Sequence, residues 1–222
     1  MRSIEFGVGE IYHVYSRGVD KRIIFCDPLD YQRFLESLWI FNTATVDDES
    51  SFFERKLRGV IPDPSVTVST FALMPNHFHL LIQEKTECGT SKFMHRLGTS
   101  YTQYFNRKHE RSGRLFESPF KAKHVNTQAY LEQITRYIHL NPLDVLGYKW
   151  KTEKLDINQT REALINYPWS SFRFYFNQES TNFLDLSLLN DLFPTPEDHL
   201  DYLGSYEPND DADEENLAGA EA

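Results

Sequence analysis

The chain has 222 residues, 40% hydrophobic and 14% aromatic, which suffices for one core or one core with a small appendage. No segment approaches the run of about 18 apolar residues that a membrane helix needs, and residues 1–10 lack the basic start and apolar stretch of a secretory signal, so a cytoplasmic protein with no membrane partner is expected. Cys26 and Cys88 stand far apart without a second pair, so neither a disulfide framework nor a cysteine metal site is suggested.

The net charge of -10 argues at first sight against a nucleic-acid partner, whose phosphates are held by Lys and Arg. The distribution reverses that reading. No Lys or Arg follows Arg173, while residues 174–222 hold 13 Asp and Glu, so residues 1–173 carry 23 basic against 20 acidic groups. Residues 88–150 alone hold 10 basic against 4 acidic groups. A basic working surface with an acidic tail fits this pattern, although charge alone describes an ordinary solvated surface equally well.

Ile11 to Arg17 alternates and is rich in Tyr, Val and Ile, a strand running into a turn at Gly18. Asp27-Pro28 opens a helix to about Phe41, with Phe34, Leu35, Leu38 and Phe41 inward. Residues 42–64 read as a loop or short helix. Val66 to Leu73 is a second strand, Pro75-Asn76 a turn, and His77 to Gln83 a third strand. Phe93, Leu97, Tyr101, Tyr104 and Phe105 at helical spacing predict a long helix from Ser91 to about His109. Phe116 to Val125 is the fourth strand, and a helix capped by Asn126 or Thr127 follows it and stops before Pro142.

The order β-α-β-β-α-β plus a helix is that of an α+β, ferredoxin-like split βαβ fold, an antiparallel sheet backed by two helices. Beyond Tyr148 the pattern weakens except for the aromatic stretch Tyr167 to Tyr175, expected to pack on the domain. Residues 206–222, with no aromatic after Tyr206, are expected to be a disordered acidic tail that either solubilises the chain or competes with DNA for the basic surface.

The sharpest local signal is Pro75-Asn76-His77-Phe78-His79-Leu80-Leu81-Ile82. On a strand His77 and His79 share one face, about 6–7 Å apart, and can lean onto one ion. Two half-exposed structural histidines would give the same pattern. On the helix at 127–140, Tyr137 and Asn141 lie one turn apart. An amide oxygen can complete a metal site and a phenol can attack a phosphodiester. The same residues could instead be a packing face ended by Asn141-Pro142, and periodicity does not separate Tyr130 from Tyr137, except that only Tyr137 has Asn141 one turn on.

The stretches YHVYSRGVDKRIIF, TFALMPNHFHLLI, SYTQYFNRKHERSGRLFESPFK and YLEQITRYIHLNPL, in that order, closely resemble the single-tyrosine HUH transposases of bacterial insertion sequences. Within that group they look most like the REP-associated tyrosine transposases, the IS200-like group. The resemblance runs from about Tyr12 to Tyr175 and implies an enzyme that cleaves and rejoins single-stranded DNA beside a folded hairpin, leaving a 5′-phosphotyrosine and a free 3′-hydroxyl. It implies Tyr137 as nucleophile on the extra helix, His77 and His79 as metal ligands, Asn141 as the third, polar ligand, and Mg or Mn as the ion. A catalytic domain is expected over 1–150; the aromatic extension expected over 151–205 and the acidic tail over 206–222 are where the chain departs from the family's compact members.

DNA contacts are expected from Arg107, Lys108, Arg111, Arg114, Lys121 and Lys123, which flank a helix-to-strand loop, and from Arg17, Lys21 and Arg22 after the first strand. The aromatics interleaved with the first group are expected in the core. Two rival functions fit less well: a catalytically retired protein that binds DNA or RNA hairpins, and a metal-dependent hydrolase that activates water. Monomer and homodimer are both compatible with the sequence.

Overall fold

The computed structural model describes residues 4–44, 63–179 and 181–208. Its elements are β1 (Ile11–Arg17), α1 (Pro28–Ile40), β2 (Val66–Met74), β3 (His77–Glu84), α2 (Gly89–Lys108), β4 (Lys121–Val125) and α3 (Gln128–Leu140). They are followed by α4 (Pro142–Val145), α5 (Ile157–Asn166), α6 (Phe172–Phe176), α7 (Ser187–Leu192) and α8 (Pro196–Gly204). Most of the loop expected over 42–64 lies outside the described residues.

The sheet has the order β2-β3-β1-β4 with every neighbouring pair antiparallel. This is the expected split βαβ arrangement, in which β3 separates β1 from β2. Local chemistry sets the ends of the elements. Asp27 caps α1 by accepting from the Leu29 and Asp30 amides, and Pro28 occupies the first turn. Thr127 caps α3 through the Tyr130 amide. The buried Glu84 carboxylate at the end of β3 accepts from the Gly89 and Thr90 amides, so the strand caps the helix that follows it.

The fourth strand is shorter than the pattern predicts, beginning at Lys121 rather than Phe116. Residues 115–118 run beside the end of β1 instead: Val19 donates to the Leu115 carbonyl, Glu117 to that of Arg17, and Ser16 Oγ reaches the Ser118 carbonyl. Pro119, with no N–H, cannot continue a ladder.

The sheet is covered on both faces. Tyr12, Val14, Phe78, Leu80 and Ile82 pack with Phe34 and Leu38 of α1 and Phe93, Leu97 and Tyr101 of α2. A bulge between Val68 and Thr70 switches the parity of β2, so Phe71 and Leu73 join this core while Ala72 and Met74 face the other side. On that second face Ala72, Met74 and Leu81 meet Leu131, Ile134 and Ile138 of α3, Trp150, and Leu164, Phe172 and Leu203 of the extension. The aromatic stretch also closes the open edge of β2: Leu73 donates to the Trp169 carbonyl and Ser171 to that of Phe71.

The ordered body reaches further than expected. Tyr206 is 1% exposed, with its ring 5.3 Å from that of Trp150, and Glu207 pairs with Lys154. A bulky ring that finds an apolar bed stays with the core whatever the charge of the residues beyond it. Residues 209–222 of the expected tail lie outside the described residues. No helix among the described residues is long and apolar enough to cross a membrane.

The extension is fastened to α3 by a buried polar chain. Ser171 Oγ contacts His139 Nε2 at 2.7 Å and the Phe71 backbone, and His139 Nδ1 faces His199 Nε2 at 3.4 Å. Burial holds the His199 imidazole down at about 3, and burial and then His199 hold His139 well below its ordinary value. Such a group is neutral when folded and takes a proton on unfolding below about pH 6.5, so stability is lost progressively as pH falls from 6.5 towards 3 and is unaffected above 6.5. His199→Phe retains a ring to stack on Phe193. In urea denaturation the stability advantage of the wild type over this variant should shrink by up to about 1.4 kcal/mol per pH unit below 6.5. An advantage that stays constant from pH 7.5 to 5 contradicts the assignment.

Candidate active site

The register of β1 on β3 builds the site. Tyr15 pairs with His79 and Arg17 with His77, so His13, Tyr15, Arg17, His77 and His79 all project from the sheet face that α3 covers. On the other side of β3, His79 lies opposite Ala72, whose small side chain leaves room above the strand. Gly18, just beyond Arg17, allows the turn: a Cβ there would meet the Arg22 carbonyl at 2.3 Å.

Helix α3 then lays Tyr137 over the histidines. The Tyr137 ring stands edge-on to that of His79 at 5.4 Å and to that of His13 at 6.4 Å, while the rings of His77 and His79 are perpendicular at 5.1 Å. Asn141, at the C-cap of α3, donates its side-chain amide to the Tyr137 carbonyl at 3.0 Å and lies close enough to His77 to favour its charged form. Trp150 closes the far side, its ring 6.2 Å from Tyr137. One chain thus brings His77, His79, Tyr137 and Asn141 together. Tyr130, which periodicity left as an alternative, is half-buried at the margin of the second core.

The protonation pattern suits a metal. Asn76 Nδ2 donates to the Lys21 carbonyl, which turns Oδ1 towards His77; at 2.7 Å the His77 Nδ1 must therefore be the donor, leaving a lone pair on Nε2. Burial, then Arg17, holds the His77 imidazole down at about 3, and burial, then His13, holds His79 well below its ordinary value. Both are neutral at physiological pH, the form that binds metals. His77 Nε2, His79 Nε2 and Asn141 Oδ1 are buried without a hydrogen-bond partner. Unpaired buried acceptors are costly, and a cation is what three of them would satisfy. The residues fit a divalent ion.

A second cluster, Cys26, Asp30 and His109, also has ligand atoms close together. It is already satisfied. The buried Asp30 carboxylate accepts from the Cys26 amide, Tyr104 Oη, Lys108 Nζ at 2.7 Å and His109 Nε2 at 3.1 Å. A cation would have to displace the Lys108 ammonium, so this cluster joins α1 to α2.

The nine basic residues expected to contact DNA are distributed unequally. Lys121 and Lys123 pair with Tyr15 and His13 and so lie on the histidine face, at the outer strand β4. Arg17 is 8% exposed, and its Nε and Nη1 have no hydrogen-bond partner. Lys21 and Arg22 sit in the next turn, where Arg22 pairs with Asp20. Arg107 and Arg114 are exposed, and Arg111 is bound to Asn106 and to the Arg114 carbonyl. Lys108 is engaged by Asp27 and Asp30, which leaves it out of the DNA-facing set. Of the interleaved aromatics, Tyr101, Phe105 and Phe116 are core, as expected, and Tyr104 is partly buried against it.

Exposure rises from 0% at His79 to 7% at His77, so the site is approached from the end of the sheet where Asn76, Arg17 and Lys21 lie. A groove of about 430 Å³ between α2 and residues 114–120 lies elsewhere. Sequence reasoning missed His13, Trp150 and Lys151. Parity along β1 could have found His13, which shares a face with Tyr15 and Arg17. No local signal marks Trp150, or Lys151, whose charge disfavours the protonated forms of His77 and His79 behind larger causes.

A solved structure described as a REP-associated tyrosine transposase bound to a REP hairpin superposes with a TM-score of 0.51 at 11% identity, covering 84% of this chain and 93% of that one. At that identity the likeness establishes the fold. The family model described as "Transposase IS200 like" matches residues 42–141, a span that includes His77, His79, Tyr137 and Asn141. No curated protein gives a significant match. Fold and matched segment define the class, a transposase built on a four-stranded antiparallel sheet. More particularly, residues 42–141, a little under half of the chain, are similar to the IS200-like transposase family.

The two clusters can be distinguished by Mn²⁺ titration of the purified protein. His77→Ala should weaken binding by more than about tenfold, whereas His109→Gln should leave it unchanged. The opposite ranking would move the metal site to α1 and α2.

Proposed function

We propose that this transposase cleaves and rejoins single-stranded DNA beside a hairpin through a 5′-phosphotyrosine on Tyr137, with Mg²⁺ or Mn²⁺ held by His77, His79 and Asn141. The observation that carries this reading is the meeting of Tyr137 with two neutral histidines whose outer nitrogens are buried and unpaired. The REP hairpin bound to the structurally similar transposase supports a hairpin partner here. The same reading places the enzyme with the cell's DNA in the cytoplasm.

In this mechanism Arg17 and the basic side chains at the approach hold the DNA backbone, and the unpaired Nε and Nη1 of Arg17 are available to a phosphate oxygen. When bound, the ion polarises the scissile phosphate and offsets its developing charge. Tyr137 Oη attacks phosphorus in line; the bond from phosphorus to the 3′-oxygen breaks, and that oxygen leaves with a proton as the 3′-hydroxyl. The phenol gives up its proton in the same step. Rejoining reverses the reaction: a 3′-hydroxyl attacks the phosphotyrosine, whose ester conserves the bond energy, so no nucleotide triphosphate is consumed. His77, His79 and Tyr137 meet within one chain, which supports a monomer as the working unit.

A second reading, a hairpin-binding protein without turnover, is favoured by the 3% exposure of Tyr137. The two separate on hairpin-flanked single strands with Mn²⁺. Wild type should form a covalent adduct that survives denaturation, and Tyr137→Phe should form none while binding the hairpin with affinity within about threefold of wild type. Arg17→Ala should cut the adduct rate by about 10²-fold or more. Absence of adduct from wild type on every substrate supports the non-catalytic reading. Strand cleavage retained by Tyr137→Phe supports a hydrolase that uses activated water.

A further inference from the structure

His13 is fully buried on β1, two residues from Tyr15, the partner of His79, and therefore diagonal to His79. Its ring stacks on that of His79 at 5.0 Å and 19°, and on that of Tyr15 at 4.9 Å. Its Nε2 lies 2.8 Å from His79 Nδ1. One of the two nitrogens carries the proton and the other accepts it.

The two alternatives differ in what they leave in the site. If His13 donates, His79 is protonated on Nε2, and an N–H points where a ligand lone pair is needed. If His79 donates from Nδ1, its Nε2 is a lone pair and His13 carries its own proton on Nδ1. The His13 Nδ1 and His79 Nε2 atoms have no hydrogen-bond partner in either case, so without an ion nothing else on these two rings selects one state. His77 has no such freedom, because Asn76 is a fixed acceptor.

We infer that His13 is a positioning residue that accepts the His79 Nδ1 proton and so holds His79 in the tautomer whose Nε2 binds the divalent ion. Ligating imidazoles generally need an acceptor on their other nitrogen, which fixes ring orientation and raises ligand basicity. Asn76 serves His77 in this way, and His13 serves His79. The inference rests on the reading of His79 as a metal ligand.

The test uses the full chain and Mn²⁺ alone, with binding followed by the electron paramagnetic resonance signal of free Mn²⁺. His13→Phe keeps an aromatic ring but removes the acceptor, and His13→Gln restores an acceptor. His13→Phe should weaken Mn²⁺ binding by about 10- to 100-fold, and His13→Gln should recover most of that loss. Equal affinities for wild type and His13→Phe overturn the role of His13 while leaving the metal site standing. No binding by wild type overturns the metal reading itself, and this inference with it. Should His13→Phe fail to fold, ¹⁵N imidazole spectra of the wild type with saturating Mg²⁺ decide: a proton on His79 Nδ1 supports the assignment, and a proton on Nε2 overturns it.

Discussion

The register between β1 and β3 is the constraint on which the rest depends. Setting Tyr15 opposite His79 and Arg17 opposite His77 puts two imidazoles, a third imidazole and a guanidinium on one sheet face. A slip of one residue would turn every side chain of β1 to the opposite face, sending His13 and Arg17 into the apolar core and Tyr12 and Val14 out of it. The hydrophobic partners of Val14, Leu80 and Phe78 on α1 and α2 therefore enforce the geometry of the polar face. Packing on one side of the sheet fixes chemistry on the other.

Helix α3 makes this face a site. Its apolar residues Leu131, Ile134 and Ile138 bind it to the sheet, and the same helical phase brings Tyr137 against His79 and Asn141 to His77. The result differs from the other buried histidine cluster of the protein. His139 is satisfied through Ser171 and tied to His199, and it joins elements together. In the site, by contrast, the lone pairs that burial leaves unpaired converge from two elements. Buried polar groups are normally paired, so a set of acceptors without donors fits the proposed divalent cation. The Arg17 guanidinium beside them, with Nε and Nη1 unpaired, fits the complementary case, a group awaiting an anion.

Much of the fold was legible because alternation and helical periodicity agree with local capping in β1, α1, β3 and α3. The shortened β4 was not legible, since Phe116 and Phe120 are apolar in the strand rhythm yet bury themselves by packing beside β1 and α2. The bulge in β2 was hidden for a similar reason: Val68 and Phe71 face the same core although their spacing is odd. His77, His79, Tyr137 and Asn141 could be named from spacing and family resemblance, but their convergence is a long-range fact. Parity along β1 groups His13 with Tyr15 and Arg17, but its contact with His79 depends on the strand pairing, and Trp150 lies in an irregular segment whose place is set by Tyr137 and Tyr206. Lys108 looked like one more basic residue because the carboxylates that engage it, Asp27 and Asp30, lie far away in sequence.

The covalent bond to DNA proposed for Tyr137 is tested most directly by peptide mapping with mass spectrometry, after wild-type protein has reacted with a hairpin-flanked single strand and Mn²⁺ and the DNA has been digested to a residual nucleotide. A nucleotide mass on the peptide containing Tyr137, localised to that side chain, is the expected result. A nucleotide on any other residue, Tyr130 included, would contradict it.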